Sequence, residues 1–488
     1  MQGRFYIQVI LPLKLGWEPW YCSSERIETG MRVRVSFAGK EYVAVTSRVT
    51  SVPGIPEEKV RPVICVETGL DRISSEELAL WRFIASYYLC TMGEVYRTAY
   101  PVGKQTVEAR KPRKKASADE NGSNGIDTEI DFNDRKPVLL LGGGRKSVYD
   151  AMVRRTLASG RDVLMIRPDA ESLSYAQLRD LAKEVRSTSA KAQLIVGRRS
   201  SVFLPFAKLG LVIVDEEQDA FYKQNDPAPR FNARDVAVVL AKIHGADIVL
   251  GSSCPSLESL YNAVTGKYRL VELDGWKNGV GAAEVEVVDV TEEKRKRGMH
   301  EERSVKLEIA EEQVRSAGGK ILEINSWEIR KSLKLKLERY SLVAVLHGEF
   351  LLSKDDYRAD EKALQLFAAL RDRCRGTLFV QTLDARHPVF RALQSATVSG
   401  ACSELLAERA AFRLPPYTRQ IDIVLKDRNE DRLVRMEKAA SAELGPLSQY
   451  FPKDAGLQDA KEALKEKVSD FCERHKYIGF IHLDVDPC

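Results

Sequence analysis

The sequence predicts an α/β protein with parallel sheets, preceded by a small β-rich domain and followed by a small α+β domain. Residues 4–50 alternate apolar and polar side chains with a period of two, which is typical of half-buried strands. From Lys136 onward, short apolar segments such as PVLLL, DVLMI and LVIVD alternate with helical patterns, which indicates parallel strands covered by helices on both faces. Residues 401–488 combine helical patterns with isolated strand patterns.

The first predicted domain covers residues 1–103. Its strands are FYIQVILPL, MRVRVSF and EYVAVTSRV, the last two joined by a turn that contains Gly39. Residues 74–97 open with a Ser-x-x-Glu capping signal and carry apolar side chains at helical spacing. We therefore expect one helix that packs on a small sheet.

Residues 104–136 contain almost no apolar side chains and run from the basic ARKPRKK to the acidic ADENGSNGIDTEIDFND. This composition predicts a disordered, charged linker. The basic run has two interpretations, a solvated tether or an arm that contacts phosphates.

The remaining boundaries follow the change of pattern. Residues 137–283 form the first predicted α/β lobe, residues 284–400 a second and shorter lobe, and residues 401–488 the α+β end domain. The second lobe is predicted from the strand patterns EVEVVDV, KILEI, SLVAVL and TLFVQT and the helical pattern KALQLFAALRDR.

Bulk composition excludes several classes of protein. The net charge is only +5 over 488 residues, so a polyanion partner must meet a local basic patch. The 8 cysteines include no C-x-x-C pair, which predicts neither a zinc site nor a disulfide framework. The N-terminal apolar run is too short for a signal peptide, and no segment approaches the length of a membrane span. We expect a cytoplasmic protein without membrane contact.

The segment LVIVDEEQ, residues 211–218, is the strongest candidate for chemistry. It places acids at the carboxyl end of a buried strand, where α/β proteins bind ligands. In an ATP-driven motor, Asp215 would hold Mg²⁺ and Glu216 would orient the attacking water. A D-E-E run alone is a weak signal, because acids often end a strand simply by reaching solvent.

Longer segments resemble the primosomal protein N′ (PriA) family of superfamily 2 DNA helicases. These are residues 194–235 with 249–273, the N-terminal VILPLKLGWEPWYCSSERIETGMRVRVSFAGKEYVAVTSRV, and the C-terminal ELLAERAAFRLPPYTRQIDIVLKDR with HLDVDP. The resemblance implies RecA-like helicase lobes, a first domain that captures a 3′ end at a fork, and ATP with Mg²⁺ as cofactors. It also implies forked or single-stranded/duplex junction DNA, primosome proteins and single-strand-binding proteins as partners.

The phosphate loop departs from the family pattern G-x-T-x-S-G-K-T. The corresponding stretch is LLLGGGRKSVYDAM, and neither register of alignment leaves a proper cradle of backbone N–H groups. A flexible strand-to-helix turn is the alternative to an anion site. The candidate phosphate-binding residues are Gly142, Gly143, Gly144, Lys146 and Ser147.

Other motor parts are altered as well. The acid box has Gln218 in place of the family's His, and AALRDRCRG has Ala369 and Gly376 where the family's finger motif has Gln and Arg. Arg373 remains as the single candidate finger that stabilises charge in the transition state. The family's zinc insertion is missing, so no zinc is expected. We expect the ATPase to be lost or weakened.

Two groups of residues are candidates for DNA contact, because aromatic faces stack on bases and cations pair with phosphates. The alternative for the loop FYKQNDPAPRF is aromatic packing, and the alternative for the first domain is a solvated polar sheet face. The candidates are Phe221, Tyr222, Lys223, Arg230 and Phe231 in the loop, and Gly30, Arg32, Arg34, Lys40 and Tyr42 in the first domain.

The sequence therefore predicts a replication-restart protein of the PriA type that recognises forked DNA with a lost or weakened motor. One alternative is an active ATP-dependent 3′→5′ helicase that uses Lys146, Asp215, Glu216 and Arg373. Another is an interaction scaffold or decaying paralogue without a DNA role.

Overall fold

The structure is a computed structural model, and it describes residues 5–101, 130, 132, 134–171, 175–273, 283–352, 356–395 and 397–487. Most of the predicted linker, residues 104–136, lies outside the described residues.

The N-terminal domain is a six-stranded sheet with the order β5-β2-β1-β4-β3-β6. The hairpin between β3 and β4 turns at Ala38 and Gly39, which both have positive φ angles. Val33 and Val35 are fully buried on the inner face of the sheet. The prediction of a β-rich domain is confirmed. The strands are β1 (Phe5–Ile10), β2 (Trp20–Ser23), β3 (Arg32–Phe37), β4 (Lys40–Thr50), β5 (Arg61–Pro62) and β6 (Cys65–Val66).

Two helices follow this sheet, α1 (Ser75–Tyr87) and α2 (Met92–Ala99), so the prediction of one helix over 74–97 is wrong. Helix α1 begins at the predicted capping box, in which the Ser74 side chain accepts from the backbone N–H of Glu77. A second capping box at Thr91 starts α2, and Leu89 between the helices takes a left-handed φ of 54°. A strong local start signal thus outweighs continuous helical spacing.

The first lobe contains a six-stranded sheet in which all strand pairs are parallel, in the order β12-β7-β11-β10-β8-β9. Its central strand LGLVIVD is buried up to its last residue, as expected for a strand covered on both faces. The strands are β7 (Val138–Leu141), β8 (Asp162–Ile166), β9 (Leu194–Gly197), β10 (Leu209–Asp215), β11 (Asp247–Ser252) and β12 (Arg269–Glu272). The helices are α3 (Arg145–Ala158), α4 (Tyr175–Arg186), α5 (Ala233–His244) and α6 (Leu257–Val264).

The core of this lobe includes residues that precede its predicted start at 137. Ile130 is buried among the side chains of β7 and α3, and its carbonyl accepts a hydrogen bond from Arg155 at 3.5 Å. The guanidinium of Arg155 also lies 5.9 Å from the centre of the Phe132 ring. The end of the predicted linker therefore packs on the first lobe.

The second lobe has a four-stranded parallel sheet with the order β13-β18-β17-β16 and a small hairpin. The prediction of a second, small α/β unit is confirmed. The strands are β13 (Glu284–Asp289), β14 (Met299–His300), β15 (Arg303–Ser304), β16 (Ile321–Asn325), β17 (Leu342–Leu346) and β18 (Thr377–Thr382). The helices are α7 (Val290–Lys296), α8 (Val305–Ser316), α9 (Ile329–Ser332), α10 (Ala359–Arg373) and α11 (Pro388–Leu393).

The C-terminal domain is an antiparallel three-stranded sheet, ordered β20-β19-β21, with three helices. Its first helix begins at Val398, within the predicted second lobe, so the predicted boundary at 401 cuts a helix. The elements are α12 (Val398–Ala411), β19 (Thr418–Leu425), α13 (Glu430–Leu444), β20 (Ser448–Pro452), α14 (Leu457–His475) and β21 (Ile481–Val485).

Buried side chains from all four parts of the chain belong to one continuous core. Trp81 of α1, Phe231 of the first lobe, Phe367 of α10 and Phe471 of α14 are all buried within it. A continuous core of this kind makes the orientation of the parts a property of the fold. Among the described residues, no helix is both long and apolar enough to cross a membrane.

Candidate functional site

The acid pair lies where the sequence predicts it, at the carboxyl end of β10. Asp215 is the last residue of the strand, and Glu216 has a left-handed φ of 52°. A left-handed conformation is uncommon for a residue with a side chain and is costly unless its surroundings hold it. The side chains of Arg145 and Gln218 bond to Glu216, and that of Tyr149 bonds to Asp215.

Arg145, the first residue of α3, fills the space in front of the acid pair. Its guanidinium donates to Glu216 Oε1 at 2.6 Å and lies 3.5 Å from Asp215 Oδ1. It also donates to the Gly142 carbonyl at 2.5 Å and to the Ser253 hydroxyl at 3.3 Å. Burial alone would lower the pKa of Arg145, but Glu216 and its other acidic neighbours raise it above its usual range. Arg145 therefore stays charged and neutralises the acids.

Tyr149 occupies the other side of Asp215, to which its hydroxyl donates a hydrogen bond of 3.0 Å. Burial, followed by the charge of Asp215, raises the pKa of Tyr149 well above its usual value, so the hydroxyl stays protonated. The ring fits because residue 251 is a glycine. A Cβ atom on Gly251 would lie 1.6 Å from the Tyr149 hydroxyl oxygen.

Gln218 completes the hydrogen bonds of Glu216. Its amide nitrogen donates to Glu216 Oε2 at 2.8 Å, and its amide oxygen accepts from the Ser252 hydroxyl at 2.6 Å. Both carboxylate oxygens of Glu216 thus have donors within the chain. These two bonds use part of the acceptor capacity with which a carboxylate orients a water molecule.

Two of the five candidate phosphate-binding residues have polar groups that are paired within the chain. The N–H of Gly142 donates to the Ser252 carbonyl at 3.2 Å, and the Ser147 hydroxyl donates back to the Gly144 carbonyl at 2.9 Å. Lys146 is exposed at the rim of the cleft, and Gly143 lies beside it. Phosphate binding needs several backbone N–H groups that point into one space.

The second lobe contributes Asp372 and Arg373 to the same cleft, which has a volume of about 450 Å³. Burial raises the pKa of Asp372, while a hydrogen bond with Ser253 opposes this shift. Arg373, the candidate finger, is exposed, and its guanidinium donates to the Leu333 carbonyl. Asp372 was not among the site residues predicted from the sequence.

A magnesium nucleotide does not fit the residues of this cleft. Asp215 has Arg145 and Tyr149 as partners, Glu216 has Arg145 and Gln218, and Asp372 adds a carboxylate where phosphates would need positive charge. The two acids predicted to hold magnesium and to orient water are thus bonded to other side chains of this chain.

Glu217, the third acid of the run, has a structural role that was not predicted from the sequence. It is buried and accepts hydrogen bonds from Arg234 at 3.1 Å and from the backbone N–H of Ser256 at 2.6 Å. The sequence does not distinguish Glu217 from the two acids before it. Only its contact with Arg234 in the structure does so.

The loop behind the acid pair is packed into the protein. Tyr222 and Phe231 are fully buried, and the Lys223 ammonium lies 2.7 Å from Asp484 and donates to the Val485 carbonyl at 2.6 Å. Arg230 is buried beside Asp226 at 3.2 Å. These contacts agree with the alternative interpretation, in which the aromatic side chains hold the loop. The four buried side chains present no surface to DNA in this conformation.

Phe221 is the exception in this loop, because its ring is partly exposed. The guanidinium groups of Arg198 and Arg199 each lie 5.2 Å from the centre of that ring. This cluster keeps two cations at the surface beside an aromatic face.

In the first domain, three of the five candidate DNA contacts have partners inside the domain. Arg32 is buried, with its guanidinium 4.3 Å from the Tyr100 ring and bonded to the Tyr96 hydroxyl at 3.2 Å. Arg34 pairs with Glu67 at 2.7 Å. Gly30 is a structural position, since a Cβ atom there would lie 2.0 Å from the Ile73 carbonyl oxygen.

The outer surface of this domain offers a different set. Trp17 is 60% exposed, and its ring packs against Phe37 with centroids 6.1 Å apart. Lys40 pairs with Phe37 across the hairpin and is exposed, while Tyr42 is half-buried two residues further along the strand. Trp17, Phe37 and Lys40 form what we call the hairpin surface.

The net charge of this domain is zero, since residues 5–101 contain eleven Lys and Arg and eleven Asp and Glu side chains. Binding of nucleic acid here depends on local groups more than on a general positive field.

Comparison with known proteins gives the following relatives. Residues 8–101 match the PriA 3′ DNA-binding domain (3′BD). The chain is 31% identical to the replication restart protein PriA of Rickettsia felis over 303 residues, which cover 55% of this chain and 45% of that protein. The PriA of Chlamydia trachomatis is 38% identical over 152 residues, 27% of this chain and 20% of the relative. The PriA of Bacillus subtilis is 31% identical over 191 residues, 34% of this chain and 23% of the relative.

The matched region thus spans less than half the length of these relatives. Among solved structures, the chain is similar to RecG bound to a three-way DNA junction, with 12% identity, a TM-score of 0.30, and coverage of 58% of this chain and 40% of RecG. That similarity is too distant to support an argument.

Proposed function

This chain is a relative of the replication restart protein PriA, and from that premise we propose that it binds branched DNA at a 3′ end without hydrolysing ATP. The DNA-binding part rests on the 3′ DNA-binding domain over residues 8–101. The loss of the motor rests on one observation, the Arg145 guanidinium between Asp215 and Glu216. Binding of ATP or magnesium is not part of the proposal.

The hairpin surface is the part of the domain best suited to a DNA end. Trp17 offers a flat face on which a terminal base stacks, and Lys40 offers a mobile cation for the neighbouring phosphate. Stacking and one phosphate contact are compatible with the neutral charge of the domain. The partners that the family resemblance implies, primosome and single-strand-binding proteins in the cytoplasm, belong to this proposal as well.

The helicase alternative requires the acid pair, Lys146 and Arg373 to act together on a nucleotide. Arg145 separates them, because it bonds to Glu216 on one side and to the Gly142 carbonyl on the other. The scaffold alternative does not explain why Trp17 is exposed on the same surface as Lys40. Neither alternative accounts for both features.

The test compares binding of labelled forks by the full chain. One fork carries a leading-strand 3′ end at the junction, and the other lacks that strand. We expect the first fork to bind more tightly, and the double substitution Trp17→Ala/Lys40→Ala to weaken it by about tenfold, the usual size of one lost stacking contact. Arg32→Ala is unsuitable, because Arg32 packs beneath Tyr96 and Tyr100.

Trp327→Ala is the matched control, since Trp327 is a similarly exposed tryptophan in the second lobe. Equal affinity for the two forks, or an unchanged affinity in the double variant, contradicts the role of the hairpin surface. No binding to either fork favours the scaffold alternative.

A further inference from the structure

Three aromatic rings lie together at the carboxyl edge of the second-lobe sheet. Trp327 follows β16, His347 follows β17, and Phe350 lies three residues beyond His347. The centroids of Trp327 and His347 are 6.0 Å apart with ring planes 11° from parallel, and those of His347 and Phe350 are 5.3 Å apart at 19°. Leu383, directly after β18, extends the group. We call these four residues the second-lobe patch.

The patch is exposed to an unusual degree for apolar side chains. Trp327 is 57% exposed, Phe350 is 64% exposed and Leu383 is 57% exposed. A contiguous exposed apolar group of this kind in a folded protein marks a binding surface more often than a scattered exposed residue does. Tryptophan is also the residue type that most often carries binding energy at the centre of an interface.

The loops that carry the rings are joined by hydrogen bonds of their polar groups. The Ser326 hydroxyl donates to the His347 carbonyl at 2.7 Å, and the backbone N–H of Leu383 donates to Glu349 at 3.1 Å. His347 itself has a left-handed φ of 56°, which is costly for a non-glycine residue. The backbone thus holds the patch in one arrangement before any ligand binds, which lowers the entropy cost of binding.

Carboxylates lie beside two members of the patch. Glu302 lies 3.3 Å from one nitrogen of His347, and Glu349 lies 3.9 Å from the other. Asp384 follows Leu383 and is exposed, and the exposed cations nearest in sequence are Arg386, Arg330 and Lys331. Carboxylates repel phosphates, so this edge is a poor surface for a nucleic-acid backbone. They attract cations, and the aromatic faces bind Arg and Lys side chains as well.

We propose that the second-lobe patch is a docking site for a basic protein segment that alternates arginine or lysine with a large apolar side chain. The apolar side chain covers Trp327 and Phe350, and the cations pair with Glu302 and Asp384. This site lies on a different lobe from the hairpin surface, and it does not require that the proposed function be correct.

The test uses the full chain and three fluorescent probes, namely an amidated peptide of alternating arginine and leucine, the same peptide with glutamate in place of arginine, and single-stranded oligothymidine. We expect the arginine peptide to bind with an affinity that falls as salt is added. The substitutions Trp327→Ala and Phe350→Ala should each weaken it about tenfold, as for residues at the centre of an interface. Glu302→Gln should weaken it by a smaller factor.

Phe412→Ala is the matched control, since Phe412 is a 69% exposed phenylalanine beyond the end of α12. The proposal is overturned if the glutamate peptide binds equally well, if Trp327→Ala and Phe412→Ala have the same effect, or if the arginine peptide does not bind. Preferential binding of oligothymidine that is lost in Trp327→Ala overturns it in favour of a nucleic-acid surface. Circular dichroism of each variant separates a lost contact from a lost fold.

Discussion

The carboxyl edges of the two parallel sheets differ sharply in how their side chains are satisfied. In the first lobe, the carboxylates of Asp215 and Glu216 are paired with side chains of this chain, above all with Arg145. In the second lobe, Trp327 and Phe350 project from the equivalent edge and remain more than half exposed. Parallel sheets place ligand sites at this edge, and here the first edge is occupied from within whereas the second is open.

A fold of this class does not by itself indicate a working motor. The positions of Asp215 and Glu216 depend on β10, which also serves the core and is therefore retained for stability. Their chemistry depends on the side chains that face them. In this chain Asp215 and Glu216 face Arg145 and Tyr149 of α3, so the two acids contribute to the structure.

The largest expected effect comes from removing the cation of the first edge. Arg145→Ala leaves Asp215 and Glu216 without their shared partner in a partly buried cleft, and we expect a loss of about 3 kcal/mol in the free energy of unfolding. Chemical denaturation measures it. Lys146→Ala is the matched control, because Lys146 is the exposed neighbour, and it should change stability by less than about 0.5 kcal/mol.

The same variant gives a second measurement. Without Arg145, the acid pair is free to bind a cation, so added magnesium should stabilise Arg145→Ala and leave the wild type unchanged. Equal stability of Arg145→Ala and Lys146→Ala would remove Arg145 from the account.

A smaller effect is expected at Tyr149. Tyr149→Phe removes the hydroxyl that donates to Asp215 at 3.0 Å and keeps the ring in its place over Gly251. The loss of one hydrogen bond to a charged group predicts a cost of about 1.5 kcal/mol. Tyr450→Phe serves as the comparison, because Tyr450 is 42% exposed on β20 of the C-terminal domain. A cost no larger than that of Tyr450→Phe contradicts the assigned contact.

The third prediction concerns pH. Burial raises the pKa of Asp372, so folding disfavours its ionised form. This cost is present above the raised pKa and disappears as the pH falls toward the ordinary value of the unfolded chain. Asp372→Asn should therefore raise the melting temperature slightly at neutral pH, and the difference should vanish in acid. A lower melting temperature at neutral pH would show that attraction to Arg145 outweighs burial.

The smallest effect on stability is expected at the open edge. Trp327→Ala and Phe350→Ala remove side chains that are mostly in water, so each should change the free energy of unfolding by less than about 0.5 kcal/mol. Thermal denaturation checks this. A loss comparable to that of Arg145→Ala would mean that the second-lobe patch is part of the core and that the two edges are alike.

Much of the fold could be predicted from the sequence, because strands and helices depend on local patterns. The apolar segment ending at Asp215 is a buried parallel strand, and Ser74 caps a helix, as expected. The pairing of side chains was harder to predict. Arg145 meets Glu216 across 71 residues, and Lys223 meets Val485 across 262, and no periodicity links such pairs.

The candidate site shows the same limit. The phosphate loop was expected to be defective from its residues, but the sequence did not show that its arginine would turn onto the acids. The buried Tyr222 and Phe231 were indistinguishable in sequence from exposed stacking residues, because their burial depends on distant parts of the first lobe. The Tyr222 hydroxyl donates to the Ile166 carbonyl, and the Phe231 ring contacts the Phe203 ring. Trp17, by contrast, lies in the segment between β1 and β2 and is 60% exposed.

Hydrolysis of ATP by the full chain, measured with magnesium and forked DNA, tests most directly whether this relative of PriA binds DNA without a working ATPase. The account predicts no hydrolysis above background with or without the fork, together with fork binding that ATP does not change. Hydrolysis that the fork stimulates and that Glu216→Gln abolishes would contradict it, because Glu216 would then have to leave Arg145 and act on water.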